Sequence, residues 1–354
     1  MTDMALPYAA GKTRDEATRV FWIRAWLVTS AVLVFIMVLV GGATRLTDSG
    51  LSITEWRPIT GAIPPLTQEA WLIELEKYRQ IPEYQLINKG MTMEAFQFIY
   101  WWEWGHRFLG RVIGIVFFVP FAFFWLKGWL STRLKWKGSL LLALGGFQGF
   151  IGWYMVSSGL VDRVDVSQYR LAMHLGMAAV IFAVFAYVIR HADGRAGAFR
   201  WSMPGTVFAT ALTMLIFIQV LMGALVAGLD AGLTFVTWPL MDGQIIPNGL
   251  LVQSPWYLNF GENVMTVQFN HRLGAYIVWA LVALHAVLIY RREGWSISAK
   301  WATGLFALVS MQAVVGVLTL INLVPVSLAL THQGLAFLIL GYCVLHADRL
   351  GRVA

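Results

Sequence analysis

The chain has 354 residues, 58% of them hydrophobic and only 13% charged, with a mean hydropathy of +0.66. These values lie outside the range of soluble globular domains and predict an all-α integral membrane protein that crosses the bilayer several times. The net charge of +7 does not imply nucleic acid, because the basic residues sit in short clusters beside apolar segments, as orientation signals do. The single cysteine, Cys343, lies in an apolar run, which excludes an internal disulfide and any cysteine-based zinc or iron–sulfur site.

Residues 1–21 form a polar tail with no small-residue cleavage site ahead of the first apolar run, so no removable signal peptide is expected. A helix needs about 20 apolar residues to cross the hydrocarbon core. Eight segments qualify, approximately 22–43, 106–126, 138–158, 170–190, 204–227, 269–290, 301–322 and 325–347. Lys12, Arg14, Arg19 and Arg24 precede the first, and Lys127, Arg133, Lys135 and Lys137 follow the second. Arg190, Arg195 and Arg200 follow the fourth, Arg291, Arg292 and Lys300 the sixth, and Arg349 and Arg352 the eighth. The positive-inside rule then puts both termini in the cytoplasm. Two long loops, 44–105 and 228–268, face outward, and the second carries no Lys or Arg. The first loop contains two helical pieces, one starting at Thr67 and an aromatic-rich one starting at Thr92, each with threonine as N-cap.

The chain repeats itself. Asp48, Gly50, Leu51, Trp56, Gly61, Ile63 and Pro65 match Asp230, Gly232, Leu233, Trp238, Gly243, Ile245 and Pro247 at a constant offset of 182. His106-Arg107 then matches His271-Arg272, "QGFIG" from Gln148 matches "QAVVG" from Gln312, and His174 matches His332. This predicts two tandem four-helix bundles, residues 22–200 and 201–354, related by a pseudo-two-fold axis along the membrane normal.

Four of the seven histidines, His106, His174, His271 and His332, fall in the first turns of even-numbered spans, all of which enter from the outer face. One histidine at a helix end reads equally well as an interfacial residue. Four at equivalent depth in a duplication point to ligation, because a buried imidazole is costly unless paired or bound. Carboxylates are sparse nearby and glycines abundant, which suits a flat macrocycle better than a compact ion cage, so a bis-histidine heme in each half is expected. Arg107, Arg111 and Arg272 are candidates for heme propionates, with snorkelling or a structural contact as the other, equally weighted reading for Arg111. His191 and His346 are assigned to the solvated cytoplasmic boundary. His285, about 21 Å deeper than His271 and without a counterpart in the other half, is assigned a structural role.

Glu103 stands three residues before His106, where the second half has Gln268. A carboxylate beside a heme can manage protons or stabilise a cation, and an amide cannot. The alternative is a plain ion pair with Arg107 one helical turn away.

The stretches "GGATRLTDSGLSITEWRPITGAIPP", "EAFQFIYWWEWGHRFLGR" and "NHRLGA" resemble the heme A synthase family, and the likeness runs from the first span to the eighth. The resemblance implies a membrane enzyme of two four-helix halves that oxidises the C8 methyl of heme O to the formyl of heme A for cytochrome c oxidase. It implies histidine pairs at His106 with His174 and at His271 with His332, and a functional glutamate at Glu103. Combined with the Glu103 asymmetry, it predicts that the first half takes heme O as substrate. Two hydroxylations of the methyl would there give a diol that loses water. The second half would hold heme b. Some members carry a cysteine pair in the first outer loop; residues 44–105 contain none, which aligns this chain with proteobacterial and mitochondrial members and excludes any mechanism needing that thiol pair. A bacterial inner-membrane location follows, with lipid around the spans and with heme O synthase and an unidentified electron donor as expected partners.

Two rivals remain open on the sequence. A diheme b-type electron carrier shares the histidine pattern, and a transporter shares the repeat, although the spans contain almost no charge for a transport path.

Overall fold

A computed structural model describes residues 14–161, 163–193 and 204–352. Lys12, Arg195, Arg200 and most of the N-terminal tail lie outside the described residues. Among the described residues all regular structure is helical apart from one isolated bridge between Met241 and Gln244. Eight helices are long and apolar enough to cross a membrane: α1 (Arg14–Leu46), α4 (Met93–Leu126), α5 (Thr132–Val156), α6 (Gln168–Arg190), α7 (Pro204–Gly228), α9 (Val264–Glu293), α10 (Ile297–Ile321) and α11 (Val326–Arg352). Among the described residues three short α-helices in the loops complete the set: α2 (Gln68–Tyr78), α3 (Pro82–Leu86) and α8 (Asn259–Glu262).

The expected caps form. Thr67 accepts from the Ala70 amide and Thr92 from the Ala95 amide, each satisfying a donor that a helix start leaves orphaned. The aromatic-rich piece and the second span, expected as separate helices, are one helix of 34 residues. No proline interrupts the junction, and Gly105 alone does not stop a helix already growing from Met93. His106 consequently lies thirteen residues into α4 and not in its first turn; His174, His271 and His332 stand six or seven residues into their helices.

Helices α1, α4, α5 and α6 close one ring of neighbours, and α7, α9, α10 and α11 close another. The rings meet where α6 packs on α7, α1 on α11, and α6 on α11. Polar links stitch this seam at both ends. Arg45 reaches Asp230 at 2.8 Å and also pairs with Asp48 and Asp165. Gln168 donates to the Gly261 carbonyl and to Glu262. At the other end Asp348 accepts from Arg190 at 2.6 Å, His191 at 3.0 Å and Arg352 at 2.7 Å.

Two histidine assignments need correction. His191 and His346 were expected at a solvated boundary, yet they are 6% and 0% exposed. His191 is held by Asp348 across the seam. His346 pairs with His285, Nε2 to Nε2 at 2.9 Å, so His285 has its partner within its own half. The edge of Phe208 meets the His285 ring and Trp301 stacks on His346, which encloses the pair in aromatic carbon.

The long loop between α1 and α4 builds a small core of its own. Trp71, Leu75, Tyr78, Ile81 and Tyr84 pack on Phe96, Ile99 and Tyr100 of α4, with Leu51 and Ile53 alongside. Burying side chains the size of Phe96 and Tyr78, both 0% exposed, stabilises the cap by roughly 2 kcal/mol each. Glu83 is caught in this cap at 6% exposure with Oε2 unpartnered. Burial, partly offset by a hydrogen bond to Tyr78, pushes its carboxyl up to about 8. The closed cap therefore keeps a proton that an opened cap releases between pH 4.5 and about 8. Cap stability should fall as pH rises through that window, by at most about 1.4 kcal/mol per unit, and level off above it. Hydrogen exchange of residues 68–88 checks this: the wild type should show excess opening as pH climbs towards 8, and Glu83→Gln should not.

Candidate heme-ligand sites

Helical spacing explains how each histidine is seated. On α1 Gly41 faces His106, and a Cβ there would lie 2.8 Å from its ring. On α5 Gly152 faces His174, on α7 Gly223 faces His271, and on α10 Gly316 faces His332, with corresponding distances of 2.9, 3.1 and 2.7 Å. Each imidazole thus lies directly on the backbone of the neighbouring helix, a position that any side chain larger than hydrogen would contest.

Four residues before three of these glycines is a glutamine, on the same helix face. Gln148 donates to the His174 carbonyl at 3.1 Å and contacts both ring nitrogens. Gln219 donates to the His271 carbonyl at 2.8 Å and meets Nδ1 at 3.1 Å. Gln312 donates to the His332 carbonyl at 2.9 Å, with Nε2 at 3.4 Å. The pattern is spelled in the chain as "QGFIG", "QVLMG" and "QAVVG", and the fourth site has "MVLVG", residues 37–41. Two of these pentads, "QGFIG" and "QAVVG", correspond to each other in the repeat. A glutamine and a glycine four apart inside an apolar span, one helix before each histidine, were the signal that could have identified them.

His271 and His332 face each other with ring centroids 6.4 Å apart and planes at 76°. Two imidazoles sharing one ion at about 2 Å per bond need centroids a little over 6 Å apart, so the pair is spaced for an ion between them. The His285 and His346 rings, 5.2 Å apart and directly hydrogen-bonded, are too close for that. His106 and His174 stand on α4 and α6, across the first ring from each other. Among the described residues no three His, Cys, Asp or Glu side chains converge to hold an ion. Each pair could therefore supply only two ligands, the number a porphyrin leaves open. The buried Nδ1 atoms of His106 and His332 have no hydrogen-bond partner, and glycine keeps side chains away from the rings; both features fit heme.

The two long loops are tied down beside these histidines. Arg107 donates to the carbonyls of Ile53 (2.8 Å) and Glu55 (3.0 Å), and Arg272 donates to those of Phe235 (2.6 Å) and Thr237 (2.8 Å). Ile53 with Phe235 and Glu55 with Thr237 stand at the same offset of 182, so one brace is built twice. Arg111 holds the carbonyls of Arg57 and Pro58. Two buried N–H groups stay unpartnered, Arg111 Nη1 and Arg272 Nε, and these are donors that a carboxylate could use.

Glu103 is 3% exposed and saturated with donors. It accepts from the Ile53 amide at 2.7 Å, Ser52 Oγ at 2.8 Å and Arg107 at 2.5 Å. Both sequence readings meet here, since the pair with Arg107 exists and the carboxylate also pins the loop before α4. Gln268 reverses the polarity in the second half, donating to the Phe235 carbonyl at 3.0 Å.

Comparison with known proteins agrees with this architecture. The profile of the cytochrome oxidase assembly protein family matches residues 24–344. The heme A synthase of Allorhizobium ampelinum is 50% identical over 345 residues, covering 98% of this chain and 94% of the relative. That of Agrobacterium fabrum is 52% identical over 324 residues, covering 92% and 89%, and that of a Chelativorans species is 51% identical over 326, covering 92% and 90%. With its eight membrane-crossing helices and a likeness that spans nearly its whole length, the chain belongs to the heme A synthase family.

Proposed function

We propose that the protein oxidises the C8 methyl of heme O to the formyl group of heme A, with His106 and His174 holding heme O in the first half and His271 and His332 holding heme b in the second. The observation that carries this reading is the recurrence of one seat, an imidazole on a glycine backbone, at both members of two histidine pairs in separate four-helix rings. Residues 22–200 and 201–354 then act as a substrate half and a cofactor half, related by a pseudo-two-fold axis along the membrane normal. Heme b supplies redox chemistry; the chain's own residues grip the two porphyrins and fix their orientation. Arg107 and Arg272 shape the loop edge of each site, and Arg111 Nη1 and Arg272 Nε offer donors to propionates. The basic clusters favour an inner-membrane orientation with cytoplasmic termini, so both sites lie towards the outer face. Heme O from its own membrane synthase would enter from the lipid, and a separate donor would supply electrons.

Glu103 gives the halves their different chemistry. In the arrangement seen it positions Ser52, Ile53 and Arg107 around the start of the first site, and it can take part in proton transfer once one of those donors lets go. The Gln at 268 indicates that an amide can be housed at this place in the fold, so Glu103→Gln tests charge more than shape. That variant should keep heme b and lose heme A formation at least tenfold; conversion at the wild-type rate would remove the carboxylate from the mechanism.

Mass spectrometry of porphyrins in purified protein tests the assignment of halves. Replacing His271 or His332 with Ala should deplete heme b, and replacing His106 or His174 should deplete heme O and heme A. The opposite pattern would exchange the two halves, and heme b alone in the wild type would favour a diheme electron carrier. Gly223→Val and Gly316→Val should lower heme b occupancy several-fold, because each adds carbon where an imidazole now lies. Full occupancy in both would show that the glycine seat is not needed.

A further inference from the structure

The two rings of helices are not equally closed. In the second, α9 and α10 lie tightly together and Trp279 joins them: its Nε1 donates to Ser310 Oγ at 3.0 Å, and its ring meets Phe306 with centroids 5.4 Å apart. In the first, α4 and α5 pack far more loosely. Trp279 stands eight residues beyond His271, and the residue eight beyond His106 is Gly114; Ser310 stands two before Gln312, and the residue two before Gln148 is Gly146. Both joining side chains are thus missing from the first half. A Cβ on Gly114, Gly145, Gly146 or Gly149 would meet nothing within 4 Å. At the place of Gly145 the second half has Val309, which is buried.

The loose stretch is bracketed at both ends. Towards the turn between α4 and α5 the Phe121 ring lies on Gly138 and Lys135 sits 5.1 Å over Trp125, and at the other end Leu51 lies on Gly159. Pro120, beside the first bracket, has no N–H for the carbonyl four residues back and favours a bend, where α9 has His285. Between the brackets is a window in the side of the first ring, with Gly114 about 12 Å along α4 from His106. Glycine on a membrane helix ordinarily lets another helix come close, and among the described residues none does so here. Gln148, between Gly146 and Gly149, keeps a buried Oε1 without a partner, an acceptor left for whatever fills the ring. We propose that the substrate porphyrin enters and leaves the first ring sideways through this window, and that its long isoprenoid tail lies between α4 and α5 against lipid. The inference rests on histidine ligation as proposed above and adds how one ring exchanges its porphyrin while the other keeps its own. Heme O differs from heme b by that tail, so only the first ring has to pass it. A sideways path keeps the tail out of water throughout, and the loop end tied by Glu103, Arg107 and Arg111 need not open. In the second ring Trp279 bars the same path.

Uptake of heme O reads the path directly. Protein made in cells without heme O synthase is placed in lipid nanodiscs, heme O is supplied from vesicles, and binding is followed by absorbance with porphyrins identified by mass spectrometry. Gly114→Trp combined with Gly146→Ser rebuilds the second-half join in the first half; uptake should slow at least tenfold while heme b content stays at the wild-type level. Uptake at the wild-type rate in a variant that retains heme b would overturn the proposal. A second measurement does not depend on that variant. Cys343 is 0% exposed, so Gly149→Cys gives a single accessible thiol, and loading with heme O should slow its reaction with a lipid-soluble maleimide several-fold. An unchanged labelling rate would count against the window, and a rate that fell with protein density in the membrane but not with heme O would make these glycines a contact between copies and overturn it too. Failure of the ligation reading looks different: heme O uptake would be unaffected by His106→Ala and His174→Ala, whatever the glycine variants do.

Discussion

An imidazole laid on bare helix backbone is the contact on which the rest of this structure depends. It occurs four times, at His106 on Gly41, His174 on Gly152, His271 on Gly223 and His332 on Gly316. The contact fixes how closely α1 approaches α4, α5 approaches α6, α7 approaches α9 and α10 approaches α11, so it sets both rings of helices as well as the ring orientations. Inside a bilayer there is no difference in apolarity between lipid tail and leucine to drive helices together, so close approach at small residues and interhelical hydrogen bonds carry association. Here the glycine provides the first and the glutamine amides, at three of the seats, provide the second.

The loop edge follows the same economy. One brace, an arginine gripping two loop carbonyls, is used at Arg107 and again at Arg272, and the residue four before each arginine adds a second grip of opposite polarity, accepting at Glu103 and donating at Gln268. The repeated brace keeps its geometry and changes polarity at a single position. Arg45 is another such departure: its link to Asp230 ties the end of α1 to the loop after α7, and at the same offset the second half has Ala227.

The parts of the candidate site that were legible in the sequence are those whose signal is local or repeated. Apolar runs gave the eight spans, and the repeated His-Arg singled out His106 and His271. The glycine and glutamine seats were present in the letters but unread, because a glycine among 33 in a membrane chain carries no label until its neighbour is known. The burial of His346 has no local signal for a related reason. It stands 61 residues from His285, and nothing in either neighbourhood reports that α9 and α11 bring the two within a hydrogen bond. The continuity of α4 is hidden at its start because a loop-facing aromatic segment and a membrane span differ in composition, although no helix breaker divides them.

The sequence by itself determined that the chain is helical and membrane-spanning, that it repeats its own motifs, and that four histidines recur in that repeat, because hydropathy and repetition are properties of the chain order. Only the tertiary structure decided that Glu103 is locked by three donors, that the His271 and His332 rings stand apart as an ion would require while those of His285 and His346 close on each other, and that Met37 occupies the place of a glutamine. Those are facts about distance between helices far apart in sequence, and distance is set by packing, which no single segment encodes.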